Sequence, residues 1–462
     1  MASITLSEQE EKKRQYMLNG NELAVLFYIA LPLVFYNSIN QIFQFIDTLI
    51  ASNIGSATVS IVAFIQQLHT MLGAIGQGLA IGGGIIIARH YGAGNMEKVS
   101  KNISTIFFAA LFVGSVILLI FIPFAEPFLR LCNMPEELIE EGIAYFIIEI
   151  IALVSMFINT IYLSTEKAKG NTKRIFIYNM MVVTIKTTLN ILLVYGLHLE
   201  DILVLASATL LAHSTLTIIA LVKLLNKKNP FKISLKNTSF TKEYLLPLVN
   251  LSLPIFLEKF VFSFGKVIVN SISASYGTMV VGALGVSNRI GGLATNPPTG
   301  FQEAEATLIS QNIGNNNTKR AINFFKKTIL TNLVFSSIVF FIMITFKENL
   351  ITLFAKGDPL FANEIRSIYN YEMYASVLLS LSASVMGLLY GFGYTKISMI
   401  LNIVRLFIFR IPPLWIIQNF TNIGTEGVGI AMLISNGLIG ITATIVAIIL
   451  VRKIKNTINP TI

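Results

Sequence analysis

The sequence predicts an all-α membrane protein with twelve transmembrane helices in two six-helix lobes, related by a parallel pseudo-two-fold repeat. Three observations carry this expectation. Hydrophobic residues make up 54% of the 462 and charged residues only 13%, where a soluble surface needs roughly 25%. The charges are gathered in short runs between apolar stretches long enough to cross the hydrocarbon core, which takes about 20 residues. The second half of the chain also repeats landmarks of the first.

The first 22 residues are polar and carry both signs of charge. They lack the apolar core and small-residue cleavage site of a signal peptide, so Leu23 opens a retained first span. In order, the predicted spans of the first half are Leu23 to Ala51, Ala57 to Ala88, Ile103 to Phe124, Gly142 to Ser164, Ile175 to Leu197 and Ile202 to Val222. Those of the second are Leu248 to Ile272, Met279 to Ile309, Thr328 to Phe346, Ser367 to Tyr390, Ile397 to Ile417 and Val428 to Val451. The second and eighth exceed the bilayer, so they must tilt, bend or project from it. This divides the chain into an N-terminal segment 1–22, an N-lobe 23–222, a basic linker 223–247, a C-lobe 248–451 and a tail 452–462.

With the N-terminus inside, the predicted inner segments hold 24 Lys and Arg residues and the outer ones only Arg130, Lys347, Lys356 and Arg366. The positive-inside rule then puts both termini in the cytoplasm of a multi-pass cell (inner) membrane protein. The net charge of +10 is thus explained by loops, and no basic face points to nucleic acid. One cysteine, Cys132, excludes an internal disulfide framework.

The repeat has an offset near 222 residues. Pro32 in ALP matches Pro254 in SLP, Gly55 matches Gly277, Gly78 matches Gly300, and Gly92 in RHYGAGN matches Gly314 in QNIGNNN. Later the offset grows by one: GNTK from Gly170 matches GYTK from Gly393, and Asn179 matches Asn402. A unit of six spans is even, so both halves keep the same orientation and enclose a cavity suited to alternating access.

These landmarks resemble the multidrug and toxin extrusion (MATE) family over nearly the whole chain. The resemblance is carried by Pro32 with Asp47 in FIDTLIAS, then RHYGAGNMEK, GNTKR, NPPTGFQEAEATLISQNIGNNNTKRA, GFGYTK and FRIPP. It implies a proton- or sodium-driven exporter of amphipathic, often cationic organic compounds. In one branch of the family the ion is coupled by an aspartate in the first span, an Asn-x-x-x-Asp pair in the fifth and a threonine in the sixth. Here Asp47, Asn190 and Thr209 match; the second acid is absent, because that position is Val194.

Ionisable groups inside spans are costly and normally face a partner or a cavity. The acids within or near spans are Asp47, Glu149, Glu258, Glu303, Glu305 and Glu372; the bases are Lys186, Lys259, Lys266, Arg289, Arg405 and Arg410. Equal numbers of each sign suggest pairing. Asp47 is the leading coupling residue, and Lys186, one turn before Asn190 on the same helix face, can reach it and compete with a proton or cationic substrate. Lys186, Glu258, Lys266, Arg289 and Glu303 are the expected cavity contacts. Arg405 and Arg410 read as structural, and Glu149 and Glu372, repeat equivalents near outer helix ends, as snorkelling to water.

The run GAIGQGLAIGGG lies in an apolar helix and reads as close helix packing, not nucleotide binding. No hydrolase triad, Walker loop or metal-ligand spacing appears, so no catalytic residue, metal or cofactor is expected, and the coupling ion is H+ or Na+. The expected partners are small organic substrates and membrane lipids, with the protein a monomer. Two other functions fit the same architecture: a flippase for a lipid-linked saccharide, and a dedicated exporter of one metabolite or peptide.

Overall fold

The computed structural model describes residues 5–458 apart from Gly55, Asn133, Glu200, Lys228 and Lys356. The repeat landmark Gly55, and Lys228 and Lys356 of the charge count, therefore lie outside the described residues.

The described chain is helical, without a strand among the described residues. In the first half run α1 (Glu8–Asn19), α2 (Glu22–Ile54), α3 (Ser56–Gly92), α4 (Met96–Phe121), α5 (Ala125–Leu131), α6 (Glu136–Ala168), α7 (Thr172–Ile191) and α8 (Leu203–Leu225). The second half holds α9 (Lys242–Ala274), α10 (Thr278–Thr295), α11 (Pro297–Gly314), α12 (Thr318–Thr345), α13 (Lys347–Ala355), α14 (Pro359–Glu372), α15 (Ser376–Phe392), α16 (Thr395–Phe407), α17 (Ile411–Phe420) and α18 (Glu426–Ile458). Eleven helical segments among the described residues are long and apolar enough to cross a membrane, and each falls on one predicted span.

The twelfth is the predicted eighth span, which is discontinuous: α10 ends at Thr295 and α11 begins on Pro297 and Pro298. Proline lacks an N–H and cannot continue the ladder of the preceding turn, but it suits the first turn of a new helix. The same chemistry separates α16 from α17 ahead of Pro412 and Pro413. A 3-10 turn over Met373–Ala375 joins α14 to α15, and α7 runs out in a π-helical turn over Leu192–Gly196. The predicted second span, equally long, stays one helix of 37 residues.

The repeat is visible in the caps. Asn95 opens α4 by accepting from Lys98 N, and Asn317 opens α12 by accepting from Arg320 N, each at 3.1 Å, the usual role of asparagine at that position. Just before them, Gly94 and Asn316 take positive φ of 75° and 55°. Gly170 after α6 and Gly393 after α15 do the same at 78° and 82°, the left-handed close that glycine permits.

The chain forms two compact units. One comprises the residues up to Leu18 with Ile39–Phe260, the other Asn19–Ser38 with the chain from Val261 onward. Helices α2 and α9 are thus each divided between units, and equivalent glycines show why. In the first unit a Cβ on Gly78 would lie 2.8 Å from Ser252 O of α9. In the second, a Cβ on Gly300 would lie 2.6 Å from Val34 N of α2. Each glycine lets two backbones touch, a common way for helices to associate where no hydrophobic effect drives them. Gly300→Ala should therefore force a backbone shift costing about 1–3 kcal/mol. It is expected to lower the thermal midpoint in detergent by several degrees, whereas Gly282→Ala, 3.4 Å from Phe361, leaves it nearly unchanged.

The segments expected to be polar connections are packed. In α1, Arg14 donates from Nε to Tyr91 O at 2.8 Å and from Nη2 to Gly92 O at 2.9 Å. It thereby satisfies the Gly92 carbonyl at the end of α3 and adds a second donor to Tyr91 O, which also accepts from Gly94 N. Lys13 Nζ donates to Asn171 Oδ1 at 2.6 Å at the start of α7. In the linker, Phe231 is buried against Tyr91, with ring centroids 6.5 Å apart.

Candidate functional site

In the first unit α2 supplies Asp47 and α7 supplies Lys186 and Asn190, one helical turn apart. Lys186 Nζ lies 2.9 Å from Asp47 Oδ2, and Asn190 Nδ2 donates to Oδ1 at 3.5 Å. The contact expected from the four-residue spacing is formed. Asn190 is buried, while the Asp47 and Lys186 side chains keep 24% and 28% of their surface exposed.

Thr209 does not join Asp47. Its hydroxyl donates to Leu205 O at 3.0 Å and lies within hydrogen-bonding reach of Glu149. Glu149 itself corrects the expectation of snorkelling: only 5% of it is exposed. Tyr145 also lies within hydrogen-bonding reach of it, and His69 Nε2 stands 3.8 Å from Oε2. A group near a helix end still desolvates fully when neighbouring helices rise beside it. Lys186 lies within electrostatic range of Glu149, His69 and His213. The sequence reading missed His69, Tyr145 and His213; the available signal was two histidines inside otherwise apolar spans. Val194, where the family pattern has an acid, is buried among Ile50, Ile61 and other apolar side chains.

Of the expected cavity contacts, Lys186 and Glu258 belong to the first unit, and Lys266, Arg289 and Glu303 to the second. Glu258 is buried, with Lys259 Nζ at 3.4 Å. Lys266 Nζ stands 5.2 Å from the centre of the Phe262 ring, and the Arg405 guanidinium is at the same distance from that ring. Arg289 is on an exposed part of α10, and Glu303 is half-buried near Tyr36.

The second unit has its own buried polar group. Glu372 accepts from Ser287 Oγ at 2.6 Å and is also buried, which corrects the second snorkelling expectation. Arg410 donates to Ser435 Oγ at 2.8 Å and Asn436 Oδ1 at 2.6 Å, and Arg405 reaches the same Asn436 oxygen at 2.8 Å. Both arginines thus tie the broken eleventh span to α18. The general expectation of pairing fails at Glu305, whose two carboxyl oxygens are buried with no hydrogen-bond partner.

The family model described as MatE matches the chain twice, over residues 32–195 and 254–416, opening on the two repeat prolines Pro32 and Pro254. The chain belongs to the MatE family. This MatE chain is therefore a multi-pass membrane transporter. It is 24% identical over 334 residues to the probable multidrug resistance protein YoeA of Bacillus subtilis, covering 70% of this chain and 71% of that one. It is 20% identical over 444 residues to the multidrug export protein MepA of Staphylococcus saprophyticus, covering 96% and 97%. Among solved structures, a MATE protein in complex with MaL6 matches with a TM-score of 0.91 at 20% identity, over 96% of this chain and 99% of that chain. A MOP superfamily transporter from Pyrococcus furiosus matches with 0.90 at 19% identity, over 98% and 99%.

Proposed function

We propose that this protein is a secondary active multidrug efflux antiporter of the cell (inner) membrane with both termini cytoplasmic. It exports amphipathic, often cationic organic compounds in exchange for protons or sodium by alternating access. The observation that carries this reading is the charge balance of the site in the first unit. Asp47 pairs with Lys186, and the buried Glu149 lies within electrostatic range of the same ammonium, so two acids share one base and can take one further monovalent cation, a proton included. Glu149, reached from α6, supplies the second acid that Val194 does not. A proton or sodium ion entering here competes with Lys186 for Asp47, and that competition is the means by which ion binding changes the contact between α2 and α7. The multidrug relatives support the choice of cargo.

The test is dye efflux from proteoliposomes under an imposed proton gradient and then a sodium gradient, with wild type and Asp47→Asn. Efflux driven by one gradient and lost in the variant is the expected result. Efflux that survives the substitution would remove Asp47 from coupling. No efflux under either gradient, with folded protein, would overturn the multidrug reading in favour of a specialised cargo.

A further inference from the structure

The repeat is an internal control for which buried polar residues the packing itself requires. In the second unit α11, α12 and α15 pack on one another, as α3, α4 and α6 do in the first. The register between them is fixed by Gly92 and Gly314 ending α3 and α11, by the caps Asn95 and Asn317, and by Gly170 and Gly393 after α6 and α15. On that register Gly83, Ile106, Ala110 and Ile161 correspond to Glu305, Thr328, Asn332 and Ser384. The first unit fills this place with apolar residues and the second with four polar ones, each fully buried. Packing alone does not demand them.

The four positions lie on three helices that pack together, α11, α12 and α15. In the first unit a Cβ on Gly83 would lie 2.7 Å from Ile106 Cδ1, so the equivalent Glu305 leaves α11 toward Thr328. Its carboxyl reaches α15, where a Cβ on Gly387 would lie 2.5 Å from Oε2; glycine makes room for the acid. Ser384, one turn earlier on α15, accepts from Asn332 Nδ2 at 2.8 Å. Asn332 in turn follows Thr328 by one turn on the same face of α12.

Their acceptors are left open. Both Glu305 oxygens, Asn332 Oδ1 and Thr328 Oγ1 have no hydrogen-bond partner among the described residues. A buried carboxylate without a counter-charge is the costliest way to fill such a space, and exchanging the glycine of the first unit for an acid therefore implies a bound positive charge. One carboxyl with two neutral oxygens suits a single charge; calcium or magnesium requires more oxygens and usually more carboxylates.

We propose that the second unit carries its own monovalent-cation site, formed by Glu305 with Asn332 and Thr328, which takes a proton or a sodium ion and has no counterpart in the first unit. Its use in coupling rests on the antiport reading above; its binding of a cation is measurable without transport.

The test is infrared spectroscopy of the purified protein in sodium-free choline buffer, with wild type and Glu305→Gln, followed by addition of sodium. The expected difference is a protonated-carboxyl C=O band present in wild type and missing in the variant. Persistence of that band in sodium identifies a proton site. Its loss in sodium, with a rise in the wild-type thermal midpoint that Glu305→Gln does not share, identifies a site where the two ions exchange. Identical spectra and identical sodium dependence in the two proteins would overturn the site. Thr328→Ile/Asn332→Ala, which installs the residues of the first unit and keeps the acid, should shift the band upward in frequency as its hydrogen-bond acceptors vanish, and it serves if Glu305→Gln fails to fold. Asp47→Asn should leave the band unchanged, so failure of the coupling reading and failure of this site are separately visible.

Discussion

Lys186→Ala is expected to change the ion dependence of efflux so that less of the driving cation half-saturates it, because it removes an opposite charge in direct contact with a carboxylate. Lys186 Nζ is 2.9 Å from Asp47 Oδ2, so an arriving cation must displace an ammonium already in place. Without that ammonium, Asn190 is the remaining contact shown for Asp47, through a long hydrogen bond of 3.5 Å that carries no charge. The carboxylate then meets an arriving cation without a competitor in place. Under sodium drive the same change lowers the sodium concentration for half-maximal efflux by about tenfold, the equivalent of about 1.4 kcal/mol. Lys186→Arg keeps the charge and should leave either profile close to wild type. A profile that does not move in Lys186→Ala would dismiss competition at Asp47.

The pairing behind this prediction was legible because it depends on one helix. Lys186 and Asn190 share a face by spacing alone, and Asp47 had a place in the family pattern. The surroundings of Glu149 were not legible in the same way. Hydropathy reports how long a segment stays apolar, and position within the span put Glu149 near its outer end. It does not report that His69 of α3 and Thr209 of α8 pack beside that end and exclude water from it. The helix limits show the same division. Eleven spans were readable as apolar runs, and the prolines at 297 and 298 mark where the eighth breaks. The division of α2 and α9 between units depends instead on which helix Gly78 and Gly300 touch. Such contacts are pairwise and leave no periodic trace, although the matching glycines in the repeat show that both positions are under the same constraint. Glu305 is the converse case: counting charges suggested a partner, and only three-dimensional packing reveals open oxygens.

Arg410→Met is expected to cost about 3–5 kcal/mol of stability, the penalty for removing one member of a buried charged network. Arg410 is 4% exposed and sits where the chain breaks between α16 and α17. It donates to both Ser435 and Asn436 on α18 and faces Glu372 electrostatically. Methionine fills much of the same volume but bonds none of these groups, so Ser435 and Asn436 lose a donor and Glu372 loses a counter-charge. The result should be a large fall in thermal midpoint in detergent and poor recovery of folded protein. A double variant, Glu372→Gln/Arg410→Met, separates charge from packing. If the two side chains act as an ion pair between α14 and the break ahead of α17, the double variant is less destabilised than the sum of the singles, because the second change removes the charge stranded by the first. Strict additivity would leave Arg410 as a hydrogen-bonding brace for the broken helix, independent of Glu372. In either case efflux per folded molecule is expected to stay near wild type, since a brace acts on the amount of folded transporter. A folded variant that has lost coupling would instead move Arg410 into the transport machinery.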